Sequence, residues 1–377
     1  MARKAFPLVS ILFHHRVPLS ISSSCSSKCS SPRIILHHQH HHNRIESKHS
    51  ISHLLSKSLN SDHCIARNIS DSHNQSMNSP AVLSIQSHVV HGYVGNKSST
   101  FPLQILGFEV DNINSVQYSN HVHYKVFKGQ RLDGSDLDDI FSALQANDLL
   151  QNYTHIQTGY CGSTSFLKSV VKVVRTIKET NPNIIYVCDP VLGDNDKFYV
   201  PEDQLLIYRD ELLPMADIIT PNQFEAQILS GIKIESENNI PKVTQALHSK
   251  GVPCIIITST NLGNDLTLPA YGSRKMNDEF QRFKINIPKI DTNFVGTGDL
   301  FTALMMAWLH KTNDNLCESL ENAVNIVQAV LRRTYQSAQM NGSMNDSSLE
   351  LKLIQSKSDI ENPPKCIKCY DLTVNGI

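Results

Sequence analysis

The glycine-rich segment at residues 294–301 holds the side chains whose types and spacing most directly suggest chemistry. Gly296 and Gly298 flank Thr297, Asp299 follows at once, and apolar residues at helical spacing come next. Glycines allow a sharp turn, and the free N–H groups of a following helix would bind an anion. Asp299 beside such a site suits a base that deprotonates an attacking hydroxyl during phosphoryl transfer. The alternative is a capped helix in which Asp299 is an ordinary first-turn acid.

Three more acids lie where predicted strands end, near the carboxyl edge of a parallel sheet. Asp189 and Asp194 bracket Pro-Val-Leu-Gly, and Glu225 lies just inside a helix that follows Thr220. Transfer from ATP needs hard oxygen ligands for Mg²⁺ beside an anion site, because catalysis is mostly positioning and charge neutralisation. The acids and the glycine loop together predict phosphoryl transfer. Taken singly, Asp194 and Glu225 could be solvated loop or first-turn acids.

The elements that would position these residues alternate between strands and helices. Buried strands are predicted at residues 81–86, 108–113, 155–160, 184–188, 217–220 and 253–258. The helices predicted between and after them are 97–106, 136–149, 166–177, 202–213, 222–229 and 241–250. This alternation indicates βαβ units and a mostly parallel sheet with helices on both faces. Less regular strands at 266–271 and 280–287 are then followed by the glycine loop and two long helices.

Polar stretches interrupt this pattern at two places near the predicted edge of the sheet. Residues 87–96 and 115–123 are predicted to be loops, and the first lies at the carboxyl end of a strand, where α/β proteins bind ligands. It is not a P-loop, because Asn96 separates the glycine from the lysine. Pro269 within a later strand indicates an edge strand or a bend.

Composition separates the first 79 residues from the rest. They contain 19 serines, 11 of the 18 histidines, and nine Lys/Arg against three acids, which leaves 25 basic and 32 acidic residues elsewhere. The net-acidic remainder argues against a nucleic-acid partner. Residues 1–79 are typical of an organellar transit peptide or of a disordered tail. Residues 80–340 predict one large domain, and 341–377 a C-terminal segment partly packed on it.

Membrane and metal-binding segments are not predicted. No apolar run approaches the ~18 residues that a membrane span needs. The histidine run at 37–42 is more typical of low complexity than of a metal site, and Cys366 and Cys369 lack a second pair for zinc. The nine scattered cysteines indicate reduced, intracellular usage. The predicted location is the cytosol, or a plastid or mitochondrion if residues 1–79 are a transit peptide.

Several short segments, in a characteristic order, are similar to a known family. They include Cys-Asp-Pro-Val-Leu-Gly-Asp at 188–194 and Thr-Pro-Asn-Gln-Phe-Glu at 220–225. The others are 87–89, 92–96, 114–121, 158–160, 199–202 and 296–299. The sequence resembles the pyridoxal kinase family of the ribokinase-like superfamily, and 348–363 is similar to its C-terminal segment. The implied fold is a ribokinase-like α/β domain with a central, mostly parallel sheet.

The resemblance implies an activity and the residues that perform it. The activity is ATP-dependent phosphorylation of the 5′-hydroxymethyl group of pyridoxal, pyridoxine and pyridoxamine, by a homodimer that needs Mg²⁺ and a monovalent cation, K⁺ or Na⁺. By similarity, Asp299 is the base and Gly296, Thr297 and Gly298 form the anion hole. The implied substrate-binding residues are Ser87, Val122, Tyr160 and Asp299.

The resemblance also implies nucleotide and cation sites. The residues implied to face or cover the nucleotide are Asp189, Tyr199, Asn222, Thr258, Ser259, Ile290, Asp291, Thr292 and Thr297. Asp194 would hold Mg²⁺. The positions implied for the monovalent cation are Asp189, Thr220, Glu225 and Thr258.

Position 122 departs from the family pattern. The family usually has a threonine that contacts the vitamer, whereas this sequence has Val122 followed by His123. Loss of that hydroxyl would weaken ring binding by ~1 kcal/mol or more, unless His123 replaces it. The loop at 195–198 is also short compared with that of animal relatives. Two alternatives therefore stay open: a kinase of another heterocycle such as hydroxymethylpyrimidine, or a weakly catalytic protein that binds pyridoxal phosphate.

Overall fold

A ten-stranded mixed sheet forms the centre of the part of the chain that the structure describes, residues 79–277 and 279–373 of a computed structural model. The strands are β1 (Ala81–Val89), β2 (Glu109–Tyr118), β3 (Gly129–Arg131), β4 (His155–Thr158), β5 (Ile185–Cys188), β6 (Gly193–Asp194), β7 (Lys197–Phe198), β8 (Ile218–Ile219), β9 (Cys254–Ile257), β10 (Thr267–Met276), β11 (Glu279–Pro288) and β12 (Cys369–Asp371). Their order in the sheet is β12-β11-β10-β9-β8-β5-β4-β1-β2-β3, and β6 and β7 form a separate hairpin.

Helices cover both faces of this sheet. They are α1 (Asn96–Ile105), α2 (Gly134–Ala146), α3 (Thr164–Thr180), α4 (Gln204–Ile207), α5 (Gln223–Ser230), α6 (Ile240–His248), α7 (Thr297–Lys311), α8 (Leu316–Met340) and α9 (Lys357–Glu361). Successive strand residues point to opposite faces. Leu83, Tyr186 and Ile255 therefore pack with α2, α3, α5 and α6, whereas Val82 and Val187 pack with α1, α7 and α8. The predicted α/β architecture with helices on both faces is confirmed.

The parallel strands bring the predicted site residues to one edge. β1 pairs in parallel with β2 and β4, and β4, β5, β8 and β9 continue the parallel arrangement. The carboxyl ends of these strands therefore meet along one edge, where Ser87, Asp189 and Thr220 lie. β10, β11, β12 and β3 join in antiparallel orientation at the two sides.

Both loops predicted near this edge begin later than expected. β1 continues to Val89 and β2 continues to Tyr118, so the predictions of loop at 87–89 and at 115–118 were wrong. The two strands stay paired beyond a register shift between Gln86 and His88. The end of β2 also pairs with β3. Their polar residues resembled a loop, although Val89, Val116 and Tyr118 at these strand ends form a small buried cluster.

Two other expectations differ in part from the structure. β10 lies between β9 and β11 and is therefore not an edge strand as a whole, but Pro269 lies outside the part of β10 that pairs with β9. Pairing with β9 begins only at Tyr271, because β9 is short, so the missing N–H of Pro269 removes no hydrogen bond to β9. The helix predicted at 202–213 is α-helical only in α4, and a π-turn at Tyr208–Leu212 follows.

Several C-terminal residues are part of the core. Leu351, Leu353 and Ile360 are buried with residues of α7 and α8, and β12 pairs with β11. None of the helices within the described residues combines the length and the apolar character that a membrane crossing requires. The predicted extension at 1–79, with its histidine run, lies almost wholly outside the described residues.

Candidate active site

Asp299 lies in the first turn of α7 and is held by the loop between β1 and α1, residues 90–95. Gly95 donates its backbone N–H to Asp299 Oδ2 at 2.7 Å. Burial raises the pKa of Asp299, and the hydrogen bond from Gly95 opposes that rise. A carboxylate with a raised pKa takes up a proton more readily than an exposed one, so this geometry suits a general base.

Gly296 makes the turn that starts α7, and the structure shows why this position needs glycine. It is the N-cap residue with φ 80°, a left-handed conformation. A Cβ here would lie 2.0 Å from the carbonyl oxygen of Tyr93. Ser98 Oγ also donates to the carbonyl oxygen of Gly296 at 3.0 Å. The loop is therefore fixed with the first N–H groups of α7 at its mouth, as an anion site requires.

Asp189 follows β5 and its carboxylate lies beside the glycine loop. A Cβ on Gly298 would be 3.8 Å from Asp189 Oδ2. Burial raises the pKa of Asp189, and the negative charges of Glu225 and Asp299 raise it further. A buried carboxylate among like charges is stabilised by a bound cation. The structure thus brings Asp189, Gly298 and Asp299 together.

Thr302 is a site residue that the sequence analysis missed. Its hydroxyl lies 2.8 Å from the hydroxyl of Thr220 and 3.4 Å from Asp189 Oδ2, and all three residues are buried. The available signal was its position three residues after Asp299, which places both on one face of α7. Thr302 connects α7 to Asp189 at the end of β5.

Glu225 is a buried cap rather than a solvated acid, with 3% of its surface exposed. It accepts backbone N–H groups from Leu192 at 2.9 Å, Gly193 at 3.4 Å and Asn222 at 2.9 Å. Burial raises its pKa to about 8, although these hydrogen bonds oppose the rise. Glu225 therefore fixes the loop that leads to Asp194.

Asn222 and Asp194 complete this corner of the site. Asn222 caps α5, accepts from the Glu225 N–H at 2.9 Å and donates to the Gly193 carbonyl at 2.7 Å. Asp194 lies half-buried in the β6–β7 hairpin and accepts from the Asn195 N–H at 2.8 Å. Within the described ranges, no three His, Cys, Asp or Glu side chains stand close enough to hold a metal by themselves.

The residues implied to bind the vitamer come from β1, from the turn after β4 and from the loop between β2 and β3. Ser87 is buried in β1, and a Cβ on Gly95 would be 2.1 Å from the Ser87 carbonyl oxygen. Tyr160 follows β4 and its carbonyl accepts from Ser115 Oγ at 2.7 Å. Val122, in the loop at 119–128 between β2 and β3, is 55% exposed.

The residues implied to face the nucleotide form two further groups. Thr258 follows β9, with its N–H bonded to the Pro221 carbonyl at 3.0 Å, and Ser259 is half-buried beside it. The second group, at residues 290–292, lies beside a cavity of about 280 Å³. Its lining residues are Lys289, Ile290, Asp291, Arg332, Tyr335 and Gln336. Thr292 is half-buried next to this cavity's loop, and Tyr199 is exposed after β7.

Comparison with known proteins assigns the family. The sequence profile of the phosphomethylpyrimidine kinase family matches residues 127–345, more than half of the chain. Pyridoxal kinase of Arabidopsis thaliana is 50% identical over 283 residues, which cover 75% of this chain and 91% of that protein. The chain belongs to the pyridoxal kinase family. Human pyridoxal kinase is 45% identical over 298 residues, covering 75% of this chain and 95% of the human protein.

Solved structures of pyridoxal kinases have the same fold. Pyridoxal kinase from Leishmania donovani, in complex with ADP and pyridoxamine, superposes with a TM-score of 0.73 at 34% identity. The match covers 78% of this chain and 99% of that one. The predicted resemblance and the ribokinase-like α/β fold are confirmed, and the protein is a phosphotransferase of the pyridoxal kinase family.

Proposed function

We propose that this protein transfers the γ-phosphoryl group of ATP to the 5′-hydroxymethyl group of pyridoxal, and also of pyridoxine and pyridoxamine. The observation that carries the proposal is Asp299, set at the mouth of the glycine loop by Gly95 in a pyridoxal kinase fold. Pyridoxal kinase from Leishmania donovani forms complexes with ADP and pyridoxamine and with ADP and pyridoxine. The product of pyridoxal phosphorylation is pyridoxal 5′-phosphate, so the role is salvage of vitamin B6.

The site residues have separable roles in this reaction. Asp299 removes the hydroxyl proton as the alcohol oxygen attacks the γ-phosphorus, and the bond to the β-phosphate oxygen breaks to release ADP. The N–H groups at Gly296, Thr297 and Gly298 stabilise the charge on the phosphoryl group. Ser87, Tyr160 and the residue at 122 contact the vitamer. The residues proposed to hold ATP are Asp189, Tyr199, Asn222, Thr258, Ser259, Ile290, Asp291, Thr292 and Thr297.

Two cations are proposed as cofactors, and the donor set fits them. Asp194 would hold Mg²⁺, while Asp189, Thr220, Glu225 and Thr258 would hold K⁺ or Na⁺. Support comes from the buried Asp189, whose raised pKa reflects burial and two neighbouring negative charges. When bound, the cations neutralise negative charge around the phosphates. The chain's own contribution is to hold these oxygens in place through Thr302 and the cap at Glu225.

We expect K⁺ to stabilise the nucleotide-free protein through Asp189. A site that binds only the folded state adds about 1.4 kcal/mol at ten times its Kd, which raises Tm by about 2–3 °C. Thermal melts should show this rise with KCl and not with tetramethylammonium chloride of equal ionic strength. Asp189→Asn should abolish the response. An equal rise with both salts would contradict the proposed site.

We expect Val122→Thr to lower the KM for pyridoxal about fivefold with little change in kcat, because one added hydrogen bond to the ring contributes ~1 kcal/mol to binding. Steady-state kinetics at saturating ATP measure both constants. Val126→Thr is the matched control, since Val126 lies in the same loop and is similarly exposed. An unchanged KM in Val122→Thr would show that the missing hydroxyl has no role in vitamer binding.

An ATP-coupled assay separates this function from its two alternatives. Pyridoxal and hydroxymethylpyrimidine are supplied as competing acceptors, and the phosphorylated products are identified by mass. Turnover of the pyrimidine alone would support the related kinase, for which the name of the matching family profile is the favouring observation. Binding of pyridoxal phosphate without turnover of either acceptor would support the weakly catalytic binding protein.

We also propose a homodimer, with residues 80–340 as the kinase domain and 341–377 as a segment partly packed on it. Exposed apolar side chains at Val90 and Phe127 are candidates for the subunit contact. Light scattering on the purified protein measures the mass directly.

Residues 1–79 are proposed to be an extension outside the kinase domain. The proposed location is the cytosol, or a plastid or mitochondrion if the extension is cleaved, which the mature N-terminus in cells would establish.

A further inference from the structure

Glu350 follows α8 in sequence, yet its carboxylate is buried between two loops at the active site. Only 8% of its surface is exposed. Its Oε2 accepts from the Tyr93 backbone N–H at 3.0 Å, and its Oε1 accepts from the Tyr124 hydroxyl at 3.0 Å. His121 Nε2 lies 3.4 Å from the same Oε1. One carboxylate thus joins the β1–α1 loop, the β2–β3 loop and the C-terminal segment.

The hydrogen bonds around His121 define how it meets Glu350. His121 Nδ1 accepts from the His123 backbone N–H at 3.3 Å, so the ring proton is on Nε2 and faces the carboxylate. Burial alone would raise the pKa of Glu350, but the hydrogen bonds from His121, Tyr124 and Tyr93 outweigh it and lower the pKa. Glu350 is therefore ionised and fully partnered, as a buried charge must be to persist.

The two loops that Glu350 joins are the ones that carry the acceptor side of the site. Gly95, which donates to Asp299, comes two residues after Tyr93. The Tyr93 carbonyl also packs against Gly296, as the blocked Cβ position there shows. Val122 lies between His121 and Tyr124, the two residues of the other loop that contact Glu350. A displacement of the carboxylate would move both loops.

The backbone that carries Glu350 is anchored separately from these loops. Leu351 and Leu353 are buried in the core with α7 and α8. Lys352 donates its N–H to Thr334 Oγ1 at 3.0 Å, and Asp359 pairs with Arg333 at 2.6 Å. Because its own backbone is fixed, Glu350 can act as a reference point for the loops.

We infer that Glu350 is a positioning residue for the vitamer. It fixes the separation of the β1–α1 and β2–β3 loops, so that Asp299 and the β2–β3 loop contact the same bound vitamer. This inference rests on the proposed function. The nucleotide side of the site is carried by other segments, around Asp189 and Glu225, which make no described hydrogen bond to Glu350. Its loss should therefore raise the KM for the vitamer much more than the KM for ATP.

The test is Glu350→Gln in the full chain, with pyridoxal and ATP varied separately. The glutamine NH₂ group would face either the Tyr93 N–H or the His121 Nε2–H, so two donors would oppose each other. The backbone N–H cannot become an acceptor, and His121 could accept at Nε2 only by losing its Nδ1 bond to His123. We expect the KM for pyridoxal to rise about tenfold, with the KM for ATP within about twofold of wild type. Tyr124→Phe removes one donor only and should give a smaller rise.

Asp359→Asn is the matched control, because it weakens the same segment and touches neither loop. It should lower Tm and leave the KM for pyridoxal unchanged. The inference is overturned if Glu350→Gln keeps a wild-type KM for pyridoxal, if the KM for ATP rises in parallel, or if Asp359→Asn has the same kinetic effect. Should Glu350→Gln fail to fold, an unchanged KM in Tyr124→Phe overturns it and a raised one supports it. Turnover of pyridoxal by the wild type tests the proposed function separately.

Discussion

Replacing Asp299 with asparagine is expected to lower kcat for pyridoxal by about 10²–10⁴-fold, the usual contribution of a positioned general base. The amide oxygen can still accept the Gly95 N–H, so the loop contact is kept and only proton uptake is lost. Pyridoxal should therefore still bind. Single-turnover kinetics and equilibrium titration with pyridoxal measure the two effects independently.

Asp314→Asn is a suitable control for this variant, since Asp314 follows the opposite end of α7 and is exposed. It should retain wild-type kcat. If Asp299→Asn keeps kcat within tenfold of wild type, Asp299 is not the base. The weakly catalytic alternative would be excluded by a wild type that turns over and an Asp299→Asn variant that binds pyridoxal without turnover.

The same carboxylate predicts how activity depends on pH. Burial raises the pKa of Asp299, so its protonation starts at a higher pH than for an ordinary aspartate near 4. The base works only when it is deprotonated. The value of kcat/KM should therefore rise as the pH increases through that raised pKa, and it should be low at pH values below the pKa. A pH–rate profile from about pH 4 to 8 measures this limb. A wild-type profile that stays flat down to pH ~4 would contradict the assignment.

Replacing Gly296 with alanine is expected to lower kcat by about 10²–10³-fold, the effect of losing an oxyanion-type donor. The added Cβ would lie 2.0 Å from the Tyr93 carbonyl oxygen, which is backbone and cannot yield without moving the loop. That movement displaces the first N–H groups of α7 and the loop that carries Gly95. Steady-state kinetics and circular dichroism together show whether activity is lost in a folded protein.

Alanine variants at two other glycines distinguish the steric clash at Gly296 from the backbone strain of its left-handed conformation. Gly231 also has a left-handed φ, 74°, but nothing lies within 4 Å of its Cβ position. Gly231→Ala should cost about 1 kcal/mol of stability and keep activity. Gly298→Ala should fold with a Tm near wild type, because the nearest atom is 3.8 Å away. Wild-type kcat in Gly296→Ala would show that the turn is not part of the anion site.

Local patterns predicted the parts of the site that are contiguous in sequence. The glycine turn with Asp299, and the acids at the ends of β5 and β8, could be predicted because strand and helix periodicity places them at one edge of the sheet. The family resemblance supplied the roles. Polar strand ends were misassigned as loops, since Ser115 is polar although it is buried, and only Gln117 in this stretch is exposed. The apolar alternation that indicates a strand is therefore missing from the sequence there.

Long-range contacts could not be predicted from the sequence. Gly95 and Asp299 are 204 positions apart, and Tyr93 and Glu350 are 257 apart. No periodicity connects such pairs, because which loop meets which helix depends on the packing of the whole sheet. Glu350 was missed for this reason. Thr302 was missed although its spacing from Asp299 was a readable signal, because a threonine inside a helix is ordinary.

The contact of Glu350 with Tyr93 has a consequence for how the chain matures during synthesis. Domains fold as they emerge from the ribosome, N-terminal part first. The β1–α1 loop contacts residues that are translated much later: Asp299 in α7 and Glu350 in the C-terminal segment. The acceptor side of the site can therefore form only when nearly the whole polypeptide has been released, so nascent chains stalled before residue 350 should be inactive.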